Sequence, residues 1–260
     1  MLKTRIIPTL LWKNFGLVKG ISFESWRGVG AVLPSIKVYN SRDLDELFLF
    51  DICGNQEVYD PDFDAIEEFS NHCFVPFTFG GGIKNIAQIQ RLLQVGADKI
   101  SLNTAIYEQP NLLEKAAKKF GSQCIVASLD VKLIDKEYFC FSHSGSQFTN
   151  RSPFPLVKEL ESKGVGELLI TSIDRDGTMK GYDIELLSEI SNAVKVPVIA
   201  SGGAGTYEHM KQAIEYCGVS AVAASSMFHF TEQTPQEAKN YLSERGIAVR
   251  LTYKEVESSD

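Results

Sequence analysis

The two halves of this chain repeat one another, and this repeat constrains the fold more than any other feature. VPFTFGGGIKNIAQIQRLLQVGADKISLNTAIY begins at Val75, and VPVIASGGAGTYEHMKQAIEYCGVSAVAASSMF begins 121 residues later, at Val196. The match runs through a strand pattern, a glycine loop, a helix pattern and the next strand. Two βα units that merely share Val-Pro and glycine would match over a shorter length. The sequence therefore predicts two repeated half-barrels, at about residues 1–121 and 122–250.

Short apolar runs alternate with amphipathic stretches along the chain. The predicted strands are Arg5–Leu11, Glu46–Asp51, Val75–Gly80, Lys99–Asn103, Cys124–Asp130, Glu167–Ser172, Val196–Ser201 and Ala221–Ser225. Strands that alternate with helices indicate βα units and a parallel sheet. Eight such units in residues 1–250 predict a single α/β domain, a closed (β/α)8 TIM barrel rather than an open sheet. Residues 251–260 are predicted to be a polar tail.

Composition excludes several classes of function. The 260 residues are 44% hydrophobic and carry a formal charge of −7, which makes a nucleic-acid backbone a poor partner. We expect no membrane partner, because no apolar run is long enough to cross a bilayer. Five scattered cysteines without a CxxC pair favour a reduced, cytoplasmic location. We expect no metal and no cofactor, because Rossmann and P-loop patterns are absent and His72, His143, His209 and His229 show no metal spacing.

Two insertions interrupt the alternation, and both are predicted to lie on the C-terminal face of the barrel. Trp12–Gly30 is predicted to be a long loop after the first strand. Its tryptophans, Trp12 and Trp26, could cover a ligand or pack against the rim. Lys132–Asn150 follows the fifth strand and suggests a small hairpin with a turn at residues 144–146. Long βα loops on this face usually serve binding.

Paired glycine loops end the third and seventh predicted strands. The loops are Gly80-Gly81-Gly82 and Ser201-Gly202-Gly203, and the strands that follow them end in Asn103-Thr104 and Ala224-Ser225. Glycine lets backbone N–H groups approach an anion, and a helix N-terminus adds oriented donors. The alternative is that the glycines only make tight turns. Because the two loops are related by the repeat, we predict two phosphate sites and a small ligand that carries a phosphate at each end.

Four carboxylates stand at strand ends, where side chains point into the mouth of a barrel. They are Asp51, Asp130, Asp174 and Asp176. A catalytic role is predicted for Asp130, because a buried strand has no other reason to end in a carboxylate. Asp51 and Asp174 could equally cap loops. Lys19 could bind a phosphate or be a solvated lysine. The repeat partner of Asp130 is Leu11, so these two positions cannot supply paired carboxylates.

Four charged residues open strands at the opposite end of the predicted barrel. They are Arg5, Glu46, Lys99 and Glu167. In a closed barrel these ends cluster around the axis, so two cations and two carboxylates could form a paired ring. Charges on this face ordinarily serve stability. From the pattern alone, a stabilising ion network is the preferred interpretation.

Taken together, these pieces resemble the cyclase subunit of imidazole glycerol phosphate synthase. The matching segments include RIIPTLL, GLVKG, FTFGGGI, GELLITSIDRDGTMKGYD and VPVIASGGAG, and the resemblance extends from Arg5 to Arg250. It implies a (β/α)8 barrel with a glutaminase docked at its N-terminal face. Ammonia from the glutaminase would pass through the charged ring and along the axis. It would then convert a bisphosphorylated ribulosyl aminoimidazole intermediate to imidazole glycerol phosphate and an aminoimidazole carboxamide ribotide.

The resemblance also implies residue roles. Asp130 is one of two catalytic carboxylates, Lys19 sits on a mobile first loop, and Asp98 contacts the glutaminase. The implied ammonia gate is Arg5, Glu46, Lys99 and Glu167. The residues implied to bind the substrate and its phosphates are Asp51, Gly82, Asn103, Thr104, Asp176, Gly177, Gly203, Ala224 and Ser225.

One departure from the family pattern bears on function. The family's first catalytic Asp ends strand one in a pattern like IIPCLDVKDG, and this chain has IIPTLLWKNFG, with Leu11 in its place. Leucine can neither donate nor accept a proton, and losing a general acid or base costs about 10²–10⁴-fold in rate. Gly28 and Ala31-Val32 also replace acidic and Asp-Pro residues.

The departure resembles a divergent branch of the family that accompanies surface-polysaccharide genes. In that branch the barrel and its glutaminase supply ammonia to a separate sugar amidotransferase that makes acetamidino groups. Three hypotheses therefore remain. The chain could be a diverged ammonia-channelling subunit, an active cyclase of histidine biosynthesis, or a non-catalytic scaffold that activates a glutaminase.

Overall fold

A computed structural model describes residues 3–14, 16–53 and 59–252 of the chain. Its strands are β1 (Arg5–Lys13), β2 (Gly16–Ile21), β3 (Glu24–Gly30), β4 (Leu47–Asp51), β5 (Phe77–Gly80), β6 (Lys99–Leu102), β7 (Ile125–Ile134), β8 (Glu137–Ser142), β9 (Gln147–Phe148), β10 (Glu167–Ser172), β11 (Val198–Ser201) and β12 (Ala221–Ala224). Its helices are α1 (Val32–Asn40), α2 (Phe63–Asn71), α3 (Ile86–Gln94), α4 (Thr104–Glu108), α5 (Leu112–Phe120), α6 (Pro153–Ser162), α7 (Ile184–Ala193), α8 (Tyr207–Cys217), α9 (Ser226–Phe230) and α10 (Pro235–Ser243).

Eight parallel strands close on themselves. Their order around the barrel is β1, β4, β5, β6, β7, β10, β11 and β12, and β12 pairs with β1 again. Arg5 faces Ala221 across this closing seam, and Glu167 faces Val126 where β10 meets β7. The predicted (β/α)8 barrel is confirmed. Its division into half-barrels near residue 121 stays a prediction.

Alternation along the strands sorts the apolar side chains into two cores. Leu47 and Leu49 belong to the large core between the barrel wall and the helices. Phe48 lies in a smaller core inside the barrel, together with Ile7 and Leu169. Capping side chains fix where the outer helices begin. At the start of α3, for example, the Asn85 side chain accepts a hydrogen bond from Gln88 N.

Several predicted strand boundaries were wrong, for identifiable reasons. The third and seventh barrel strands begin after Pro76 and Pro197 rather than at the valine before each, because proline has no N–H for the ladder. Cys124 ends a 3₁₀ turn instead of opening a strand. Asn103 and Ser225 are not strand residues, because each is the N-cap of a short helix.

The first insertion is an antiparallel ribbon and not the irregular loop that we predicted. β1 continues beyond the barrel and pairs with β2, and β2 pairs with β3. The second insertion does form the predicted hairpin, since β7 extends to Ile134 and pairs with β8. The predicted turn at 144–146 connects β8 to the short β9, and a separate turn at Asp135-Lys136 connects β7 to β8. Both insertions lie above the C-terminal ends of the barrel strands.

Among the described residues, no helix is long and apolar enough to cross a membrane. The C-terminal segment returns to the first strand, where Thr4 forms a bridge with Val249. Most of the predicted polar tail, residues 253–260, lies outside the described residues.

Candidate functional site

A cavity of about 470 Å³ occupies the mouth of the barrel, at the C-terminal ends of its strands. The structure brings together here every residue that the resemblance implies for catalysis or substrate binding, together with the substituted position. They are Leu11, Lys19, Asp51, Gly82, Asn103, Thr104, Asp130, Asp176, Gly177, Gly203, Ala224 and Ser225. Asp174 is not among the lining residues. Its carboxylate accepts a hydrogen bond from Leu133 N at 2.9 Å, so it caps a loop instead.

Asp130 is the buried carboxylate of this cavity. Burial, together with the smaller effect of the nearby charge of Asp176, raises its pKa to about 7. The Asn103 side-chain amide donates to Asp130 Oδ2 at 3.0 Å, which favours the charged form but does not outweigh burial. A carboxyl group with a pKa near 7 can both donate and accept a proton at neutral pH. Asp130 therefore has the protonation behaviour that general acid–base chemistry requires.

The position that corresponds to Asp130 in the first repeat is Leu11, which carries no proton-transfer group. Leu11 lines the cavity and pairs with Phe50 of β4 and Val18 of β2. Asp51 is the neighbouring acid, and it is held by two hydrogen bonds. Cys53 N donates to its Oδ1 at 2.8 Å, and Tyr59 Oη donates to its Oδ2 at 2.5 Å. Asp51 thus lines the site and also caps a turn, and burial raises its pKa.

Lys19 and Asp176 form a buried ion pair across the mouth. Lys19 Nζ lies 2.8 Å from both carboxylate oxygens of Asp176, and both residues are less than 10% exposed. The ribbon is also held to the loop after β10 by a backbone hydrogen bond from Ser22 N to Asp176 O. Lys19 is therefore not a solvated lysine, and its ammonium group lies inside the cavity.

The first glycine loop lies close to the strand beside it. Gly81 has φ +115, and a Cβ there would lie 2.0 Å from Asp51 O, so only glycine fits. Asn103 is the N-cap residue of α4, but its side chain makes no capping hydrogen bond, and its Oδ1 is buried with no partner. Thr104 Oγ1 accepts from His143 N.

The second glycine loop is built in the same way. Gly203 has φ +107, and a Cβ there would lie 2.1 Å from Gly181 O. The hydroxyls of Ser225 and Ser226, at the start of α9, are buried without a hydrogen-bond partner. Buried polar groups are rarely left unpaired unless a ligand or water completes them. The second loop thus combines glycine backbone in the left-handed region with two unpaired hydroxyl donors, which suits an anion, whereas the unpaired atom beside the first loop, Asn103 Oδ1, is an acceptor.

The four charges at the opposite end of the axis form the predicted ring. Arg5 contacts Glu46 at 2.7 Å and Glu167 at 2.8 Å, and Lys99 contacts the same two carboxylates at 2.9 and 3.0 Å. Each cation touches both anions, so the ring is closed. Asp98 lies beside it on the same face, exposed, and its carboxylate accepts from Phe77 N at 2.8 Å.

Sequence reasoning missed several residues of the mouth. Phe23 and His143 line the cavity from the two insertions, and Thr9 lines it from β1. The ribbon that brings Phe23 to the mouth leaves no clear spacing signal. Trp26, for which covering a ligand and packing against the rim were both open, also lines the cavity. Trp12 instead packs edge-to-face against Phe69, away from the ligand space.

Two of the sequence-based expectations concern metals and histidines. Within the ranges that the structure describes, no group of three or more His, Cys, Asp or Glu side chains could hold a metal ion. His229 packs against Tyr39, and burial together with nearby Lys19 lowers its pKa to about 4. It is therefore a packed, neutral histidine.

The fold and site define a (β/α)8 barrel with a closed ring of ion pairs at one end and a cavity lined by two glycine loops at the other. By sequence, the chain belongs to the family described as "Histidine biosynthesis protein", which it matches over residues 5–234.

Three relatives show where this chain falls among known proteins. It is 44% identical to the "Putative imidazole glycerol phosphate synthase subunit hisF2" of Campylobacter jejuni, over 96% of this chain and 100% of the relative. It is 41% identical to the "Imidazole glycerol phosphate synthase subunit HisF" of Chlorobium luteolum and 42% identical to that of Chlorobaculum tepidum, with the same coverage. The resemblance predicted from the motifs is confirmed.

Proposed function

We propose that this chain is the barrel subunit of a glutamine amidotransferase, which takes ammonia from a glutaminase docked at its N-terminal face and passes it along the barrel axis. The observation that carries the proposal is the alignment of two features on one axis. The closed ring of Arg5, Glu46, Lys99 and Glu167 lies at one end, and the anion-type cavity lies at the other.

The ring supports a gate because its charges neutralise each other at the entrance of the barrel. Glu46 is 1% exposed and accepts from Arg5, Lys99 and Thr78. Burying four charges is costly unless they are paired, and a network made only for stability is easily replaced by apolar side chains. A paired ring around the axis fits an entrance that a small neutral molecule crosses. Asp98, exposed beside the ring, is the residue that we assign to the contact with the glutaminase.

Leu11 supports a diverged use of the ammonia. The cavity retains the glycine loops, Asp130 and Asp176, but the first strand ends in a side chain without acid–base chemistry. We therefore assign the final nitrogen transfer to another protein, a sugar amidotransferase that forms acetamidino groups for surface polysaccharides. The relative named hisF2, by its name a second copy, is consistent with this assignment.

A second candidate function is cyclisation itself. The relatives of Chlorobium luteolum and Chlorobaculum tepidum carry the HisF name at 41% and 42% identity. With a pKa of about 7, Asp130 could serve as both acid and base, and Asp51 or Asp176 in the same cavity could share the proton transfers. The third candidate is a scaffold that activates the glutaminase without conducting ammonia. It would give the ion-pair ring no role in the transfer of ammonia.

An ammonium-dependent cyclase assay separates these functions without the glutaminase. The native chain, Leu11→Asp and Leu11→Asn receive ammonium salt and the bisphosphorylated ribulosyl aminoimidazole intermediate. We expect no turnover from the native chain, turnover from Leu11→Asp, and none from Leu11→Asn. The asparagine side chain has the same size as aspartate but carries no acid. Turnover by the native chain at the level of Leu11→Asp would instead establish the cyclase function.

A complex with the glutaminase tests the ammonia path against the scaffold. Lys99→Met breaks the ring, and Lys115→Met changes an exposed lysine on α5 as the control. If the chain conducts ammonia, Lys99→Met lowers the yield of product nitrogen from glutamine in the Leu11→Asp background and leaves the yield from ammonium salt unchanged. If Lys99→Met gives the same yield of product nitrogen from glutamine as from ammonium salt, the result would favour the scaffold.

A further inference from the structure

A layer of apolar side chains separates the ring from the cavity inside the barrel. Its members, each 2% exposed or less, are Ile7, Phe48, Val126, Leu169, Ile199 and Ala221. None of these six lines the cavity. One segment of chain passes through the ring, the layer and the cavity. β4 and the residue before it place Glu46 in the ring, Phe48 in the layer and Phe50 at the cavity. Any molecule that moves from the ring to the cavity must cross this layer.

Phe48 is the largest side chain of the layer, and it is fully buried. Its ring contacts that of Phe50, with centroids 5.6 Å apart and planes tilted by 59°. Phe50 in turn occupies space that Gly80 leaves free, since a Cβ on Gly80 would lie 2.8 Å from the Phe50 ring. The two aromatic rings therefore fill the axis on the side of β4 and β5.

Hydroxyl groups flank Phe48 on both neighbouring strands. In the register of the sheet, Thr9 of β1 and Thr78 of β5 are its partners. Thr78 Oγ1 donates to Glu46 Oε1 at 2.8 Å, so it belongs to the ring side of the layer. Thr9 lines the cavity, and its hydroxyl is buried without a hydrogen-bond partner. An orphaned buried hydroxyl is costly and is commonly completed by a small guest molecule.

We propose that Phe48 is the constriction of the barrel axis, and that a neutral molecule of the size of ammonia crosses only when the Phe48 ring moves. This inference rests on the proposed function for the identity of the molecule, but the constriction is a property of the barrel alone. On the side of the ion-pair ring, polar hydrogen-bonding groups continue as far as Thr78. Beyond Phe48, the unpaired hydroxyl of Thr9 is the next polar group. The apolar layer excludes the ammonium ion, because burying an unpaired charge is far more costly than burying a neutral amine.

A cysteine placed in the layer reports whether the axis is open. Ala221→Cys adds a small thiol at a fully buried position of the layer. The probe is methyl methanethiosulfonate, a small neutral thiol reagent, and the label at position 221 is followed by peptide mass spectrometry because the chain has five native cysteines. The rate is measured in the native Phe48 background, with Phe48→Ala, and with Phe79→Ala.

Phe79 is the matched control for size and burial. It is fully buried like Phe48, but it lies in the outer core between the barrel and the helices. Any increase in labelling through general loosening of the fold therefore appears in both variants. Phe48→Leu and Phe79→Leu form a milder pair if the alanine variants fail to fold.

We expect slow labelling in the native background, labelling roughly tenfold faster with Phe48→Ala, and a rate within about twofold of native with Phe79→Ala. Equal rates for the two phenylalanine variants, or rapid labelling with Phe48 intact, would overturn the constriction. The measurement needs neither a glutaminase nor a nitrogen acceptor. It can therefore fail while the proposed function stands, and it can succeed if the assays above reject that function.

Discussion

Lys19 and Asp176 lie 157 positions apart in the chain, yet Lys19 Nζ contacts both Asp176 carboxylate oxygens at 2.8 Å inside the mouth. The pair joins the ribbon to the loop after β10. Because each charge is nearly excluded from solvent, the two depend on one another far more than an exposed ion pair would.

Lys19→Met is expected to destabilise the protein by about 3–5 kcal/mol, because it leaves the buried Asp176 carboxylate without its cation. Urea unfolding of the native chain and the variant measures the difference. Lys118→Met is the control, because Lys118 pairs with Glu114 on the exposed surface of α5 and its loss should have no measurable effect. An unchanged midpoint for Lys19→Met would show that the pair does not form in solution.

Glu46→Gln is expected to destabilise the barrel by about 3–5 kcal/mol, because Arg5 and Lys99 lose one of the two carboxylates that they share. Glu68→Gln, on the exposed face of α2, removes the same charge from a side chain that forms no ion pair with any described residue, and it serves as the comparison. Denaturant unfolding at low and high salt provides the measurement. A similar small change for both variants would mean that the ring is open or solvated.

Asp130 is expected to make stability depend on pH. Its pKa is about 7 in the folded protein, against 3.8 for the free group, so the folded state favours the protonated form. The stabilising contribution of Asp130 is complete below about pH 4 and is lost as the pH rises through 7. Between these limits the native chain should lose up to about 4 kcal/mol relative to Asp130→Asn, since one pKa unit corresponds to about 1.4 kcal/mol.

The pH experiment is a set of urea titrations of the native chain and Asp130→Asn from pH 4 to 8. Asp64→Asn, at an exposed position of α2, controls for the loss of one carboxylate. Parallel profiles for the native chain and Asp130→Asn would contradict the raised pKa.

Gly203→Ala is expected to destabilise the protein by about 1–3 kcal/mol and to disrupt the second glycine loop. Its φ of +107 is unfavourable for alanine, and the added Cβ would lie 2.1 Å from Gly181 O. Gly28→Ala is the comparison, because no atom lies within 4 Å of a Cβ at that position. Thermal unfolding of both variants measures the contrast, and equal stability would mean that the loop relaxes around the methyl group.

Inorganic phosphate is expected to raise the thermal midpoint of the native chain by a few degrees at concentrations about tenfold above its Kd. Ser225→Ala should raise the Kd for phosphate about tenfold, because it removes the unpaired Ser225 hydroxyl that donates to the anion. Ser191→Ala removes a second unpartnered buried hydroxyl, on α7 and away from the mouth. A phosphate response that is the same in all three proteins would argue against an anion at this loop.

The barrel could be predicted from the sequence because its determinants are local and repeated. The two matching segments from Val75 and Val196 each contain strand, loop, helix and next strand, so they specify a complete βα unit. The charged ring was also predictable, since closing the barrel brings all strand starts to one axis. What failed was the detail of strand ends, where Pro76 and Pro197 remove ladder donors and helix caps replace the last strand residues.

The mouth was predictable in membership but not in pairing. The C-terminal ends of strands indicate that Asp130 and Asp176 line it, but no spacing reveals that Lys19 pairs with Asp176 or that Asn103 donates to Asp130. Such contacts depend on how the ribbon folds over the barrel, and the sequence of that insertion resembles a loop. The orphaned hydroxyl of Thr9 is likewise visible only when all its neighbours are in place.

The arrangement of β4 has an evolutionary consequence. β4 and the residue before it carry a ring charge, the constriction and a cavity side chain at alternate positions, in Glu46, Phe48 and Phe50. Inserting or deleting a single residue between Glu46 and Phe50 would turn the side chains on one side of the change outward and break this alignment, because side chains alternate with a period of two. Substitutions such as the leucine at position 11 change one level and leave the others in register. Descendants of such a barrel can therefore exchange chemistry at the mouth one residue at a time, while the lengths of their strands are inherited unchanged.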